Sequence, residues 1–174
     1  MHRLLLLRHA KTEQESGEGD SARMLTGRGR KDAVKIGHAL DIRGYWPDLV
    51  LCSTSQRTRE TWELLGPELA KTPQVEFRKT LYLASARQII AQIHATAHPI
   101  KTLMILGHNP GIEECASLLA RAPKSKVEAE KRADMREKFP TCALAVLDFD
   151  VEAWSDVTGS GVLLEFIKPR DLTD

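Results

Sequence analysis

Three short apolar runs of the sequence are each followed by side chains that can bind or transfer an oxyanion. These pairs are Arg8 with His9 after residues 4–7, Ser53 with Arg57 after residues 49–52, and His108 with Asn109 after residues 103–106. Ligands of open α/β sheets bind outside the carboxyl ends of the strands. If the three runs are parallel neighbours, these side chains share one crevice. Arginine suits a phosphate there, because its planar guanidinium can donate two hydrogen bonds to one phosphoryl group.

Two imidazoles in such a crevice can have separate roles in phosphoryl transfer. A neutral histidine can attack phosphorus and form a covalent phosphohistidine intermediate. A second histidine, kept protonated, can stabilise the phosphoryl oxygens as their charge redistributes. Because the arginines take the electrostatic role that metal ions have in other phosphoryl-transfer sites, we expect neither a metal nor a cofactor.

The elements that must position these residues alternate between strands and helices. Helical spacing of apolar residues predicts a helix after Thr26 and others near residues 55–65, 86–93 and 112–119. Apolar runs predict about six strands, at residues 4–7, 49–52, 75–77, 102–106, 141–147 and 162–167. This alternation indicates an α/β fold with a mostly parallel central sheet flanked by helices. The 174 residues are expected to form a single domain.

Two segments differ from this pattern. Four glycines make residues 15–29 a predicted long loop, and long loops of compact domains are often functional. Residues 124–138 carry ten charges in fifteen positions and predict a solvated surface helix, inserted into the domain. A lid or a partner contact is the alternative role for that helix.

Composition excludes several classes of protein. Apolar residues make up 42% of the chain and charged residues 28%, which is typical of a folded domain. The 25 basic and 24 acidic residues nearly cancel, which argues against nucleic-acid or membrane binding over a broad basic surface. Three scattered cysteines and the short first apolar run indicate a cytoplasmic protein without disulfides or a membrane span. The sequence does not define the oligomeric state.

The three motifs together resemble the histidine phosphatase superfamily, which includes the phosphoglycerate mutases. Leu-Leu-Arg8-His9-Ala10 is similar to its first catalytic motif, Ser53-x-x-x-Arg57-x-x-x-Thr61 to its second phosphate-binding motif, and Gly107-His108 to its second histidine. The short SixA-type branch, named for a phosphohistidine phosphatase, is resembled further by Asp20-x-x-Arg23-x-Leu25-Thr26-x-x-Gly29, Pro47-Asp48-x-Val50 and Gly107-His108-Asn109-Pro110-Gly111. The resemblance covers about residues 4–172 and implies a three-layer phosphoglycerate mutase-like fold.

The resemblance also implies roles for individual residues. His9 would be the nucleophile, with a backbone carbonyl holding its other ring nitrogen, and His108 would lie across the phosphate from it. Arg8 and Arg57 would grip the phosphoryl oxygens. The remaining residues expected on the phosphate or substrate side are Arg23, Asp20, Ser53 and Asn109. For Asn109, capping the next helix is an equal alternative.

One departure from the superfamily bears on the substrate. Many members carry a glutamate that protonates an alcohol leaving group, whereas the corresponding stretch here is Leu81-Tyr82-Leu83-Ala84-Ser85. An alkoxide needs such a proton, but the imidazole of phosphohistidine leaves far more easily. The missing acid therefore favours hydrolysis of phosphohistidine, on a protein, or of a related activated phosphate. Alternatives are a phosphatase for small sugar or nucleotide phosphates, with Asp20 as the acid if its loop folds inward, and a phosphate-binding module without turnover.

Overall fold

The computed structural model describes residues 1–173 and has a six-stranded sheet at its centre. The strands are β1 (His2–Arg8), β2 (Leu49–Ser53), β3 (Gln74–Arg78), β4 (Thr102–Gly107), β5 (Leu144–Phe149) and β6 (Val162–Ile167). Their order in the sheet is β3-β2-β4-β1-β5-β6. The first four strands of that order are parallel, and β5 runs antiparallel to both of its neighbours. The prediction of a mostly parallel sheet is confirmed.

Five α-helices cover the two faces of the sheet. They are α1 (Gly27–Arg43), α2 (Gln56–Leu65), α3 (Ala86–His94), α4 (Gly111–Leu119) and α5 (Lys126–Glu137). Because successive side chains of a strand point to opposite faces, Leu5 and Leu7 of β1 pack with α1 and α2, whereas Leu4 and Leu6 pack with α3 and α4. The result is the three-layer α/β fold that the sequence predicted, with an apolar core on each side of the sheet.

Two boundaries differ from the sequence-based predictions. Strand β5 begins at Leu144 instead of residue 141, because the chain first makes a turn in which the Ala143 amide donates to the Pro140 carbonyl. Within this turn Cys142 has a φ of 61°, outside the extended range of a strand, and its amide donates to the His9 carbonyl at 2.9 Å. The segment before β5 thus contacts the residue that follows the carboxyl end of β1.

The predicted loop 15–29 ends three residues early, because α1 begins at Gly27. The Thr26 hydroxyl caps the helix by accepting the Gly29 amide at 3.0 Å. A Cβ at Gly29 would lie 2.1 Å from the Lys11 carbonyl oxygen, so this first turn packs directly on the segment after β1. The glycine therefore permits close packing and does not signal a loop. The loop itself contains a short 3₁₀ helix at Asp20–Ala22.

The charged segment forms a helix, as predicted. Helix α5 buries Met135 alone among its residues, and Phe139, just after it, joins the core. The Asp134 carboxylate accepts a hydrogen bond from Lys168 at 2.8 Å, which ties the helix to the end of β6. No helix within residues 1–173 is both long enough and apolar enough to cross a membrane.

Candidate active site

The strand order brings the three predicted motifs together. Strand β4 lies between β1 and β2 and is parallel to both, so the carboxyl ends of all three meet at one edge. The His9 amide donates to the Gly107 carbonyl at 3.1 Å, which joins the chain after β1 to the end of β4. The His9 and His108 ring centroids lie 5.4 Å apart. Two histidines 99 positions apart in the chain thus become neighbours.

His9 has the environment of a nitrogen nucleophile. It is only 7% exposed, and its Nδ1 is hydrogen-bonded to the Ala10 carbonyl at 2.8 Å. Because a carbonyl can only accept, this bond assigns the proton to Nδ1 and leaves the lone pair on Nε2. Burial lowers the pKa of His9 to about 3, and the neighbouring His108 and Arg57 act in the same direction. The imidazole is therefore neutral at ordinary pH.

Arg57 is held from the first turn of α2. Its side chain is 2% exposed, and α2 begins at the Ser55 cap, whose hydroxyl accepts the Thr58 amide. One turn later, the Thr61 hydroxyl donates to the Arg57 carbonyl at 2.7 Å and accepts the Ala10 amide at 3.0 Å. The four-residue spacing between Arg57 and Thr61 thus joins the arginine-bearing helix to the histidine-bearing loop.

His108 is held by Ser53. The Ser53 hydroxyl forms a 2.8 Å hydrogen bond with His108 Nε2, and both side chains are buried. The structure therefore places Ser53 against the histidine as a positioning group. Burial lowers the pKa of His108 to about 4, with Arg57 as the next cause. The sequence-based interpretation expected a protonated His108, but burial here favours the neutral ring, and only an anion placed beside it would raise the pKa.

Arg8 and Asn109 converge on the segment after α5. Both side chains donate to the Phe139 carbonyl, each at 3.0 Å. The Asn109 side-chain oxygen also accepts the Glu113 amide at 3.2 Å, so it satisfies one free amide in the first turn of α4, whose N-cap is Pro110. Of the two roles that the sequence left open for Asn109, this contact with the start of the helix is observed.

Three buried nitrogens of these residues have no hydrogen-bond partner within residues 1–173. They are Nε of Arg8, Nε of Arg57 and Nδ1 of His108. A fourth such atom, Nε2 of His2, belongs to the opposite end of β1. Buried polar groups are nearly always hydrogen-bonded in folded proteins. These atoms are potential donors to a ligand with several acceptors, as a tetrahedral oxyanion is.

The loop bearing Asp20 and Arg23 folds inward over this edge. Arg57 donates to the Asp20 carboxylate at 3.1 Å and to the Asp20 carbonyl at 2.9 Å. Arg23 donates to the other carboxylate oxygen at 3.0 Å. These bonds, and foremost one from the Tyr82 hydroxyl, lower the pKa of Asp20 to about 2. The loop closes as a catalytic Asp20 would require, but the carboxylate is ionised at neutral pH and has no proton to donate.

Tyr82 is the site residue that sequence reasoning missed. Its hydroxyl donates to the Asp20 carboxylate, and its ring meets the His108 ring edge-on at 5.4 Å between centroids. A Cβ at Gly111 would lie 2.0 Å from the Ala84 carbonyl oxygen, so the tyrosine-bearing segment packs directly on the start of α4. The signal in the sequence was a single tyrosine, an aromatic residue with a hydroxyl that can form hydrogen bonds. It lies in the stretch from Leu81 to Ser85, which drew attention only because it lacks a glutamate.

Comparisons with known proteins identify the family of the chain. The model of the histidine phosphatase superfamily (branch 1) matches residues 4–81. An uncharacterised protein of Mycobacterium tuberculosis is 32% identical over 165 residues, which are 94% of this chain and all of that protein. The chain belongs to the histidine phosphatase superfamily, and this membership supports a phosphatase. His108 and Tyr82 lie outside the matched segment.

Two solved structures cover nearly the whole chain. A protein described as a candidate phosphohistidine phosphatase SixA, from Nakamurella multipartitia, has a TM-score of 0.81 at 30% identity over 97% of this chain and 96% of its own. A protein described in the same way from Agrobacterium tumefaciens has a TM-score of 0.75 at 29% identity over 97% of this chain and 98% of its own. The resemblance to the SixA-type branch is thus confirmed at the level of fold and family.

Proposed function

We propose that this protein hydrolyses phosphohistidine, or a related activated phosphate, through a covalent phosphohistidine intermediate on His9. The observation that carries the proposal is the set of three buried, unpartnered nitrogens of Arg8, Arg57 and His108 around that neutral histidine. A phosphoryl group beside His9 would give each of them an acceptor. The same donors would stabilise the charge that spreads over the phosphoryl oxygens in the transition state, so no metal ion is required.

The proposed reaction has two steps, and each step uses the residues described above. The lone pair of His9 Nε2 attacks phosphorus, and the bond between phosphorus and the leaving group breaks, with its electron pair going to the leaving group. The Nδ1 bond to the Ala10 carbonyl keeps the ring in the reactive tautomer and stabilises the charge that the ring acquires. Water then attacks the phosphorus on His9, and the P–N bond breaks with its electron pair returning to Nε2. Inorganic phosphate leaves with the oxygen of that water, and the protons of the water pass to phosphate and solvent. His108 gains affinity for a proton when the dianion binds beside it.

The proposal favours phosphohistidine over alkyl phosphates because the two substrates differ in their leaving groups. The one carboxylate hydrogen-bonded to Arg57 belongs to Asp20, whose low pKa of about 2 leaves it without a proton at neutral pH. Without an acid, an alkoxide leaves poorly, whereas an imidazole protonated on its second nitrogen leaves as a neutral molecule. The relatives described as candidate SixA phosphohistidine phosphatases support the same substrate class.

The test is a labelling experiment on the purified protein with a chelator present. Protein carrying ³²P-phosphohistidine should lose its label, and a rapid acid-free quench should trap label on His9. His9→Asn should lower turnover by at least about a thousandfold, because the nucleophile is gone. The matched control is His98→Asn, which changes an exposed histidine after α3 and should keep both turnover and labelling.

Four outcomes would contradict the proposal. Turnover that survives His9→Asn would contradict the assignment of His9 as the nucleophile, and so would label on another residue. Saturable binding of phosphate with neither label nor turnover would identify a binding module. A strong preference for simple alkyl phosphates over phosphohistidine would overturn the substrate class and favour a small-molecule phosphatase.

A further inference from the structure

The mouth of the site is built from Asp20 and Tyr82, and its floor from His9. His9 is 7% exposed, whereas the Asp20 side chain is 48% exposed, so a substrate arriving from solvent meets the aspartate first. Within residues 1–173, no hydrogen bond joins Asp20 to His9; the carboxylate contacts Arg57, Arg23 and Tyr82. In-line transfer puts the leaving group opposite the nucleophile. With His9 at the floor, the leaving group faces the mouth.

The two side chains at the mouth offer acceptors and no acid. The Asp20 carboxylate has two oxygens with about four acceptor positions, and the hydrogen bonds from Arg57, Arg23 and Tyr82 fill three of them. The proton of the Tyr82 hydroxyl is already directed at Asp20, and this bond raises the pKa of the phenol further. Tyr82 is in turn held by the edge-on contact of its ring with His108. The mouth can therefore accept a proton-bearing group but cannot protonate a leaving oxygen.

An imidazole, released from an N-phosphorylated imidazole substrate, is the leaving group that suits such a mouth. When its second ring nitrogen carries a proton, cleavage sends the electron pair of the P–N bond to the first nitrogen, phosphorus becomes bonded to His9 Nε2, and a neutral imidazole departs. No proton need be supplied by the enzyme. A carboxylate that accepts the N–H of the second nitrogen keeps that proton in place and so keeps the imidazole a good leaving group.

We propose that Asp20, oriented by Tyr82, accepts the N–H of the departing imidazole and so makes the site specific for N-phosphorylated heterocycles. This role rests on the function proposed above and deepens it. Asp20 acts here on the leaving group, and Tyr82 is a positioning residue that acts through Asp20. In the same arrangement the Asp20 carboxylate also competes with a phosphate for Arg57, which costs affinity for any phosphoryl substrate.

Two substrates distinguish the effect of Asp20 on the leaving group from its competition with phosphate for Arg57. Phosphoimidazole with its second ring nitrogen protonated carries the N–H that Asp20 would accept. p-Nitrophenyl phosphate has a good leaving group without an N–H, and both substrates need His9 and the same phosphate-binding groups. In Asp20→Asn, kcat/KM for phosphoimidazole should fall while that for p-nitrophenyl phosphate rises, because Arg57 is released from its counter-charge. The ratio of the two should drop on the order of tenfold or more, because the asparagine oxygen that remains is an uncharged and weaker acceptor.

Three further variants identify the cause. Tyr82→Phe should lower the ratio less than Asp20→Asn, because the carboxylate remains but loses its orientation. Asp20→Glu should restore most of the ratio, since it restores an acceptor of the same charge. Glu18→Gln is the matched control: it removes one negative charge from an exposed position of the same loop and should leave the ratio within about twofold of wild type.

The possible failures are distinguishable. A ratio unchanged in Asp20→Asn, with wild type cleaving phosphoimidazole, would overturn the role of Asp20 and leave the proposed function standing. An equal drop in Glu18→Gln would mean that loop charge, not the acceptor, sets the preference, and would also overturn it. Wild type that cleaves p-nitrophenyl phosphate but not phosphoimidazole would overturn the substrate class together with this role.

Discussion

The two buried histidines of the active site should make the protein lose stability as the pH falls from 7 to 5. The folded environment holds the pKa of His9 at about 3 and that of His108 at about 4, mainly through burial. An unfolded histidine has a pKa of about 6.5. The folded state therefore binds fewer protons than the unfolded state. The contribution is complete above pH 6.5 and is lost as the pH falls towards the folded values.

The magnitude follows from the width of that window. Each group loses about 1.4 kcal/mol per pH unit once the pH is below its unfolded pKa and above its folded one. Between pH 7 and pH 5 this amounts to about 2 kcal/mol for each histidine. That loss is a large part of the 5–15 kcal/mol or so that stabilises a typical domain.

The assay is urea unfolding at pH 7 and pH 5 of the wild type and of His9→Asn. The asparagine amide can still donate to the Ala10 carbonyl, in the place of Nδ1, but it does not titrate. The variant should therefore lose about 2 kcal/mol less than the wild type over this pH range. The His38→Asn control, at an exposed position of α1, should lose as much as the wild type.

Equal losses in the wild type and His9→Asn would refute the reasoning, because the histidine would then titrate alike in the folded and unfolded chain. Comparing the two proteins also cancels the contribution of His2, whose pKa burial lowers as well. The carboxylate Asp20 has its pKa at about 2 and does not titrate between pH 7 and pH 5.

Two substitutions should disturb contacts that hold the site in place, one through packing and one through a hydrogen bond. Gly111→Ala should destabilise the protein by about 1–3 kcal/mol or more and lower turnover, because the new Cβ would lie 2.0 Å from the Ala84 carbonyl oxygen; urea unfolding and steady-state kinetics measure both effects. Ser53→Ala should cost about 1–3 kcal/mol of transition-state stabilisation, about fivefold to a hundredfold or more in kcat/KM, because His108 Nε2 loses its 2.8 Å partner.

Each of these has a control in the same molecule. Gly27→Ala adds a Cβ with no atom within 4 Å, so it should be close to neutral, and a cost equal to that of Gly111→Ala would contradict the steric explanation. For the serine, Ser53→Thr keeps a hydroxyl and should retain more activity than Ser53→Ala. Full activity of Ser53→Ala would show that His108 does not need this partner.

Much of this protein was determined by local sequence. Apolar runs and helical spacing depend on neighbouring residues, so the strands, the helices and the charged α5 were predictable from the chain alone. The residues at the strand ends, Arg8 with His9 and Ser53 with Arg57, were recognisable because phosphoryl chemistry needs those types there. The boundary of β5 was not, because the turn at Cys142 depends on a hydrogen bond to the His9 carbonyl.

Only the tertiary structure decided how these pieces meet. The strand order that places β4 between β1 and β2 is a long-range outcome of sheet assembly, and it alone makes His9 and His108 neighbours. The neutral state of both rings arises from burial, which no residue type encodes by itself. The contact of Tyr82 with Asp20 joins residues 62 positions apart through a loop, and loop conformation has no periodic signal in the sequence.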